Sequence, residues 1–228
     1  MLRAAPRGTF PMRQLILDLL PETPPTLDNF VCGGNGEAIT GLAAWLGDDN
    51  REPALLLWGE PGSGKTHLLR ASGARYCDAA IDPGLICVAD EEQFLAVDNV
   101  QTLDDAGQIA LFNVFNRIRA NGGRLLTAAD QPPQQLALRE DLRTRLGSSL
   151  IYRLQPLTDE EKRDALGTQA SARGLRLPAD ALDYLLARAP RDMRSLSALV
   201  VALDRYSLEQ KRAITLPLLR EVLQNAAS

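Results

Sequence analysis

Eight consecutive residues, Gly59-Glu60-Pro61-Gly62-Ser63-Gly64-Lys65-Thr66, carry the groups needed to hold a chain of phosphates. They fit G-x-x-x-x-G-K-[ST]. The glycines let backbone N–H groups turn inward and close around phosphate oxygens. Lys65 reaches β- and γ-phosphate oxygens, and the Thr66 hydroxyl is a magnesium ligand. A helix starting here points free N–H groups and a partial positive charge at the same anion. Gly59, Pro61, Gly62, Ser63, Gly64, Lys65, Thr66 and His67 are therefore the expected nucleotide-contacting stretch. His67 is the sole histidine; inside that helix it reads as a structural side chain rather than a base.

A second chemical feature follows. Phe94-Leu95-Ala96-Val97-Asp98 is an apolar run ending in an acid, the Walker B pattern. An Asp at a strand end beside the phosphate loop holds magnesium through its water shell, so Thr66 and Asp98 are the candidate metal residues. Many hydrolysing relatives place another acid next. Here the residue is Asn99, and a neutral amide cannot act as a general base. The expectation is tight nucleotide binding with weak hydrolysis. Asp130, after the run Arg124–Ala128, fits two roles: a polar group facing the γ-phosphate, or a cap for the turn Gln131-Pro132-Pro133. Arg143 and Arg145, in Leu142-Arg143-Thr144-Arg145-Leu146-Gly147, read by sequence alone as solvated surface arginines. At a subunit edge, such a guanidinium donated to a neighbour's site would spread transition-state charge. Arg194 opens a helix, a slightly unfavourable place for a cation, which favours a phosphate-facing role.

Alternating elements must position these groups. Ala54–Trp58, Leu85–Ala89, Phe94–Val97, Arg124–Ala128 and Leu150–Leu154 read as short buried strands, several of them continuous as in a parallel sheet. His67–Cys77 reads as the helix after the loop. Leu103–Ala120 reads as another, with Ile109, Phe112, Val114, Phe115 and Ile118 on its apolar side and Asn121-Gly122-Gly123 as its stop. The pattern is α/β with a parallel sheet. From about Pro156 the strands cease. Thr158-Asp159-Glu160-Glu161 is a capping box opening a helix to about Arg173. Further helices are expected from Pro178 to about Ala189, from Met193 to Leu208, and from Leu216 to Gln224. The expected division is a tail at 1–25, an α/β base at 26–155 and a helical lid at 156–228.

The net charge of −4 argues against a broad electrostatic grip on DNA. The three cysteines, Cys32, Cys77 and Cys87, have no metal-type spacing and read as reduced thiols in a cytoplasmic protein. No apolar run reaches membrane-spanning length, and the Arg- and Pro-rich start lacks the apolar stretch of a signal peptide. No membrane partner is expected.

Taken in order, these stretches resemble the AAA+ family, in the branch of the bacterial replication initiator DnaA. The resemblance identifies the α/β region as an AAA+ P-loop NTPase base followed by a small all-helical lid. Thr26-Leu27-Asp28-Asn29-Phe30-Val31 is similar to the segment that packs on adenine in DnaA, which makes Asn29, Phe30 and Val31 candidate base contacts. Gly59–Leu69, Val97-Asp98-Asn99, Thr127–Asp130, Arg143–Gly147 and Met193-Arg194-Ser195-Leu196 follow in the family's order. The resemblance runs from about Thr26 to Gln224. It implies ADP or ATP with Mg²⁺ as cofactor, sensor roles for Asp130 and Arg194, and a trans-acting finger at Arg145.

Two departures separate the chain from DnaA itself. Nothing resembling its origin-reading helix-turn-helix domain follows the lid, so direct sequence-specific DNA binding is not expected. In place of a separate N-terminal domain stands a tail containing Gln14-Leu15-Ile16-Leu17-Asp18-Leu19. It fits Q-L-x-L-x-L and resembles the peptide that docks in the DNA polymerase sliding clamp, with Gln14, Leu15, Leu17 and Leu19 as anchors; a tail segment folded on its own base is the other reading. This combination resembles the Hda family, regulatory inactivators of DnaA. DnaA and the clamp are the implied partners, and homodimerisation is left open. The resemblance is strained at Thr66–Val97, which is shorter than in DnaA around Asp90-Glu91-Glu92. The phosphate loop also keeps its lysine, so an autonomous motor or helicase-loading ATPase is the competing reading.

Overall fold

The computed structural model describes residues 24–87, 93–190, 192–210 and 212–219. They fall into two compact units, Pro24–Leu157 and the described residues from Thr158 onward, each with its own apolar core.

In the first unit the chain order is α1 (Gly36–Leu46), β1 (Ala54–Trp58), α2 (Lys65–Ala71), β2 (Arg75–Asp78), α3 (Gly84–Cys87), β3 (Phe94–Asp98), α4 (Asp105–Asn121), β4 (Arg124–Ala129), α5 (Glu140–Gly147) and β5 (Leu150–Arg153). The strands form one parallel sheet in the order β2-β3-β4-β1-β5. The alternation of side chains along each strand explains the three layers. Leu56, Leu95, Val97 and Leu125 face one side, where Leu111, Val114, Phe115 and Ile118 of α4 and Leu142 and Leu146 of α5 cover them. Leu55, Leu57, Ala96, Leu126 and Ala128 face the other, against Leu42 and Trp45 of α1 and Leu68 and Leu69 of α2. Because both faces are covered, the inner strands β1, β3 and β4 are largely apolar. In this topology the carboxyl ends of β1 and its neighbours open onto the place where ligands bind.

The second unit comprises α6 (Asp159–Ala172), α7 (Ala179–Arg188), α8 (Met193–Gln210) and a helical turn at 216–219. Thr158 and Glu161 form the expected reciprocal capping box: Thr158 Oγ1 accepts from the Glu161 N–H at 3.1 Å, and the Thr158 N–H donates to Glu161 Oε2 at 2.8 Å. Leu166 and Ala170 of α6 meet Leu182 and Leu185 of α7 and Leu196, Val200 and Leu203 of α8.

Three expectations fail. The helix read as His67–Cys77 ends at Ala71, and Arg75–Asp78 is the edge strand β2. Gly73, at φ 78°, breaks the helix in a conformation that glycine supplies. Leu85 sits in the short helix α3 rather than a strand; Ile86 beside it is fully buried, and periodicity cannot separate a short buried helix from a buried strand. Ile109 is 45% exposed and lies off the apolar face of α4.

Candidate functional site

The loop between β1 and α2 is held by the ends of two strands. The Gly59 N–H donates to the Ala129 carbonyl at 3.2 Å, and the Leu154 N–H donates to the Trp58 carbonyl at 2.7 Å. A Cβ on Gly59 would collide with the Leu154 carbonyl oxygen. At the loop's far end Gly64 has φ 96°, and a Cβ there would stand 2.5 Å from Phe30 Cε2. Ser63 is buried and its N–H donates to the Glu60 carbonyl at 3.2 Å; Gly62 is in the left-handed region at φ 81°. Pro61 precedes it in the same turn.

Lys65 curls over this loop. Its Nζ donates to the carbonyls of Gly59 at 2.6 Å and Glu60 at 2.9 Å, with Ser63 Oγ at 3.5 Å. Burial lowers the pKa of its ammonium, opposed by the nearby carboxylates of Asp98 and Asp130. Desolvated and flexible, such an ammonium is suited to exchange carbonyl oxygens for phosphate oxygens.

Thr66, the second residue of α2, donates its hydroxyl to Asp98 Oδ2 at 2.6 Å. Asp98 ends β3 and is only 1% exposed. A hydroxyl and a buried carboxylate side by side beneath a phosphate loop are the oxygen donors that a hydrated magnesium ion takes. The donor set therefore fits the cation. Asp130 lies one residue beyond β4, half-buried, and close enough to act on Lys65.

Asn99 has the one left-handed non-glycine backbone among the described residues, φ 56°. Its side chain turns to β2: Nδ2 donates to Asp78 Oδ1 at 2.9 Å, while its N–H donates to Asp98 Oδ1 at 2.9 Å. Tyr76 and Asp78, absent from the sequence-level site, thus belong to it. Tyr76 donates its hydroxyl to Asp98 Oδ2 at 3.0 Å. The parallel register Asp78↔Asp98 produces this meeting, which no local spacing reveals.

The segment before α1 packs on α2. Asn29 closes a turn with Thr26 through reciprocal bonds: its Oδ1 accepts from the Thr26 N–H at 2.9 Å and its N–H donates to Thr26 Oγ1 at 3.1 Å. His67 Nε2 lies 2.9 Å from the Thr26 carbonyl, and its ring meets Phe30 edge-on at 5.4 Å. His67 therefore pins Phe30 against Gly64, and Val31, half-buried, follows.

Arg143 and Arg145 lie on α5, both half-buried. The Arg145 guanidinium is 5.9 Å from the ring centroid of Phe112 on α4. Gln108 of α4 fixes the start of α5: its Oε1 accepts from the Arg139 N–H at 2.8 Å. Asp141, at the start of the same helix, pairs with Arg139 at 3.0 Å. Arg194 is exposed in the first turn of α8, in the second unit. Gln14, Leu15, Leu17 and Leu19, and the segment around Asp90-Glu91-Glu92, lie outside the described residues.

Among the described residues no helix is long and apolar enough to cross a membrane, and no group of three or more His, Cys, Asp or Glu side chains is placed to hold a metal.

The model of the Hda lid domain matches residues 159–223. An uncharacterized protein of Haemophilus influenzae is 32% identical over 232 residues, covering 92% of this chain and 98% of that protein. Among solved structures, domain III of the Thermotoga maritima replication initiation protein DnaA is similar with a TM-score of 0.71 and 23% identity, over 90% of this chain and 98% of that one. AMPPCP-bound DnaA from Aquifex aeolicus is similar with a TM-score of 0.64 and 23% identity, over 85% of this chain and 71% of that one.

Proposed function

Because the chain belongs to the Hda-like, DnaA-related AAA+ proteins, we propose that it is a cytoplasmic negative regulator of replication initiation that acts on DnaA. It binds the sliding clamp through Gln14, Leu15, Leu17 and Leu19. From there it promotes hydrolysis of the ATP held by DnaA, with Arg145 as the arginine donated in trans. Its own site holds ADP or ATP with Mg²⁺ mainly as a conformational element.

The observation that carries this reading is the pairing of an intact phosphate loop with an amide where a base is expected. Lys65, Thr66 and Asp98 are grouped for a phosphate chain and a cation, while Asn99 is engaged by Asp78. The glycine loop and Lys65 would hold the phosphates, Thr66 and Asp98 the cation, Phe30, Asn29 and Val31 the base, with Asp130 facing the γ-phosphate and Arg194 reaching the bound phosphates. Bound magnesium would neutralise phosphate charge. Asn99 takes no proton, so bound ATP is not rapidly lost. Similarity to DnaA, which in one neighbour holds AMPPCP, supports an adenine nucleotide. The Arg145 guanidinium sits over an aromatic face at the edge of α5, which limits the conformations it must give up to reach a partner's phosphate.

The test is ATP hydrolysis by DnaA with DNA-loaded clamp, with and without this protein. We expect stimulation that Arg145→Ala reduces by roughly 10³-fold or more. Stimulation unchanged in that variant would leave only a capping role. The competing reading, an autonomous ATPase, draws on the intact Lys65 and Thr66–Asp98 pair. Turnover by this protein alone that is abolished in Lys65→Ala, with no effect on DnaA, would establish it instead.

A further inference from the structure

Asp98 is almost sealed from solvent, and a carboxylate out of water depends on donors to hold its position. Oδ1 accepts from the Asn99 N–H. Oδ2 accepts from two hydroxyls, those of Thr66 and Tyr76. These two donors come from different elements. Thr66 is on α2; Tyr76 is on β2, the sheet's edge strand.

The Tyr76 ring is itself held. The guanidinium of Arg70 stands 4.5 Å from its centroid. Arg70 is four residues after Thr66 on α2, so both project from one face of that helix. One end of the tyrosine is therefore fixed to the helix that starts at the phosphate loop, and the other end to the acid of β3. The hydroxyl has one proton to give. Asp98 Oδ2 at 3.0 Å is the nearer acceptor, with Asp78 Oδ2 at 3.4 Å. A phenol keeps its proton at physiological pH, so Tyr76 is a donor here.

We propose that Tyr76 is a positioning residue for the cation: its hydroxyl fixes the Asp98 carboxylate in the orientation that serves magnesium beside Thr66. This rests on the nucleotide-binding reading above. Groups that orient a metal's ligands commonly change metal affinity by roughly 10–100-fold when removed.

Tyr76→Phe in the full chain keeps the ring beneath Arg70 and removes only the hydroxyl. Titration with a fluorescent ADP analogue, in excess magnesium and again in EDTA, separates the two contributions. We expect affinity in magnesium to fall by about tenfold and affinity in EDTA to stay within about twofold of the parent. Because Tyr76 acts through Asp98, the same change in an Asp98→Asn background should cost little further. Equal losses in magnesium and EDTA would assign the residue to packing and overturn the inference, as would an unchanged affinity in magnesium. A parent protein that binds ADP equally with and without magnesium would also overturn it, leaving nucleotide binding intact. A parent that binds no ADP would overturn both.

Discussion

At the scale of single residues, Asn99 shows how a conformational requirement and a chemical one meet. Its left-handed backbone is tolerated by asparagine better than by most side chains. Its amide then reaches Asp78 Oδ1, a carboxylate that an acid at position 99 would repel. Three substitutions separate these effects. Asn99→Gly loses the bond but suits φ 56°. Asn99→Ala loses the bond and adds backbone strain of roughly 1 kcal/mol. Asn99→Asp replaces the donor with a like charge, and should be the most destabilising, by about 1–3 kcal/mol. Urea unfolding should rank them Gly, Ala, Asp in increasing damage; Asp as mild as Gly would mean that Asp78 does not engage this position. The grouping of Lys65, Thr66, Asp98 and Asn99 was legible in the sequence, because each lies in a contiguous motif with a local reason for its spacing. Tyr76 and Asp78 were not. They join the site only through the register of β2 on β3, a contact between strands whose pairing no local pattern announces.

At the scale of elements, the phosphate loop is set by its neighbours rather than by glycine flexibility alone. Gly59 and Gly62 make the point by contrast. A methyl on Gly62 meets open space, and its cost is that of a left-handed alanine, roughly 1 kcal/mol. A methyl on Gly59 meets the Leu154 carbonyl, which cannot yield without disturbing the bond from the Leu154 N–H to the Trp58 carbonyl. Gly59→Ala should therefore lower the thermal midpoint of the base much more than Gly62→Ala; comparable midpoints would show that β5 moves aside freely. The long elements were readable for similar reasons: β1, β3 and β4 are largely apolar because both faces are covered, α4 and α6 carry side-chain caps, and the helices after α6 show helical spacing. The edge strand β2 is different. Four residues long, with a single fully buried side chain, it follows a helix closely enough to look like its continuation. The helix α1 carries no side-chain cap bond, and no sequence signal located it.

At the scale of the whole molecule, two separate cores raise the question of whether one ligand stabilises both units. The chain is suited to an answer, because its two tryptophans, Trp45 and Trp58, both lie in the α/β unit. Their fluorescence reports that unit alone, whereas far-ultraviolet circular dichroism sums both. Thr158→Ala removes one half of the α6 capping box, at about 1 kcal/mol, and so marks the component of the dichroism that belongs to the helical unit. Magnesium–ADP at a hundred times its dissociation constant adds roughly 2.7 kcal/mol to whatever it binds. If Arg194 contacts the bound phosphates as proposed, the ligand should shift the tryptophan transition and the marked dichroism component together in urea. In Arg194→Ala the tryptophan transition should still shift, by an amount reduced in proportion to the lost affinity, while the helical component stays in place. A helical component that ignores the ligand in the parent protein would remove Arg194 from the site and leave nucleotide recognition to the α/β unit alone.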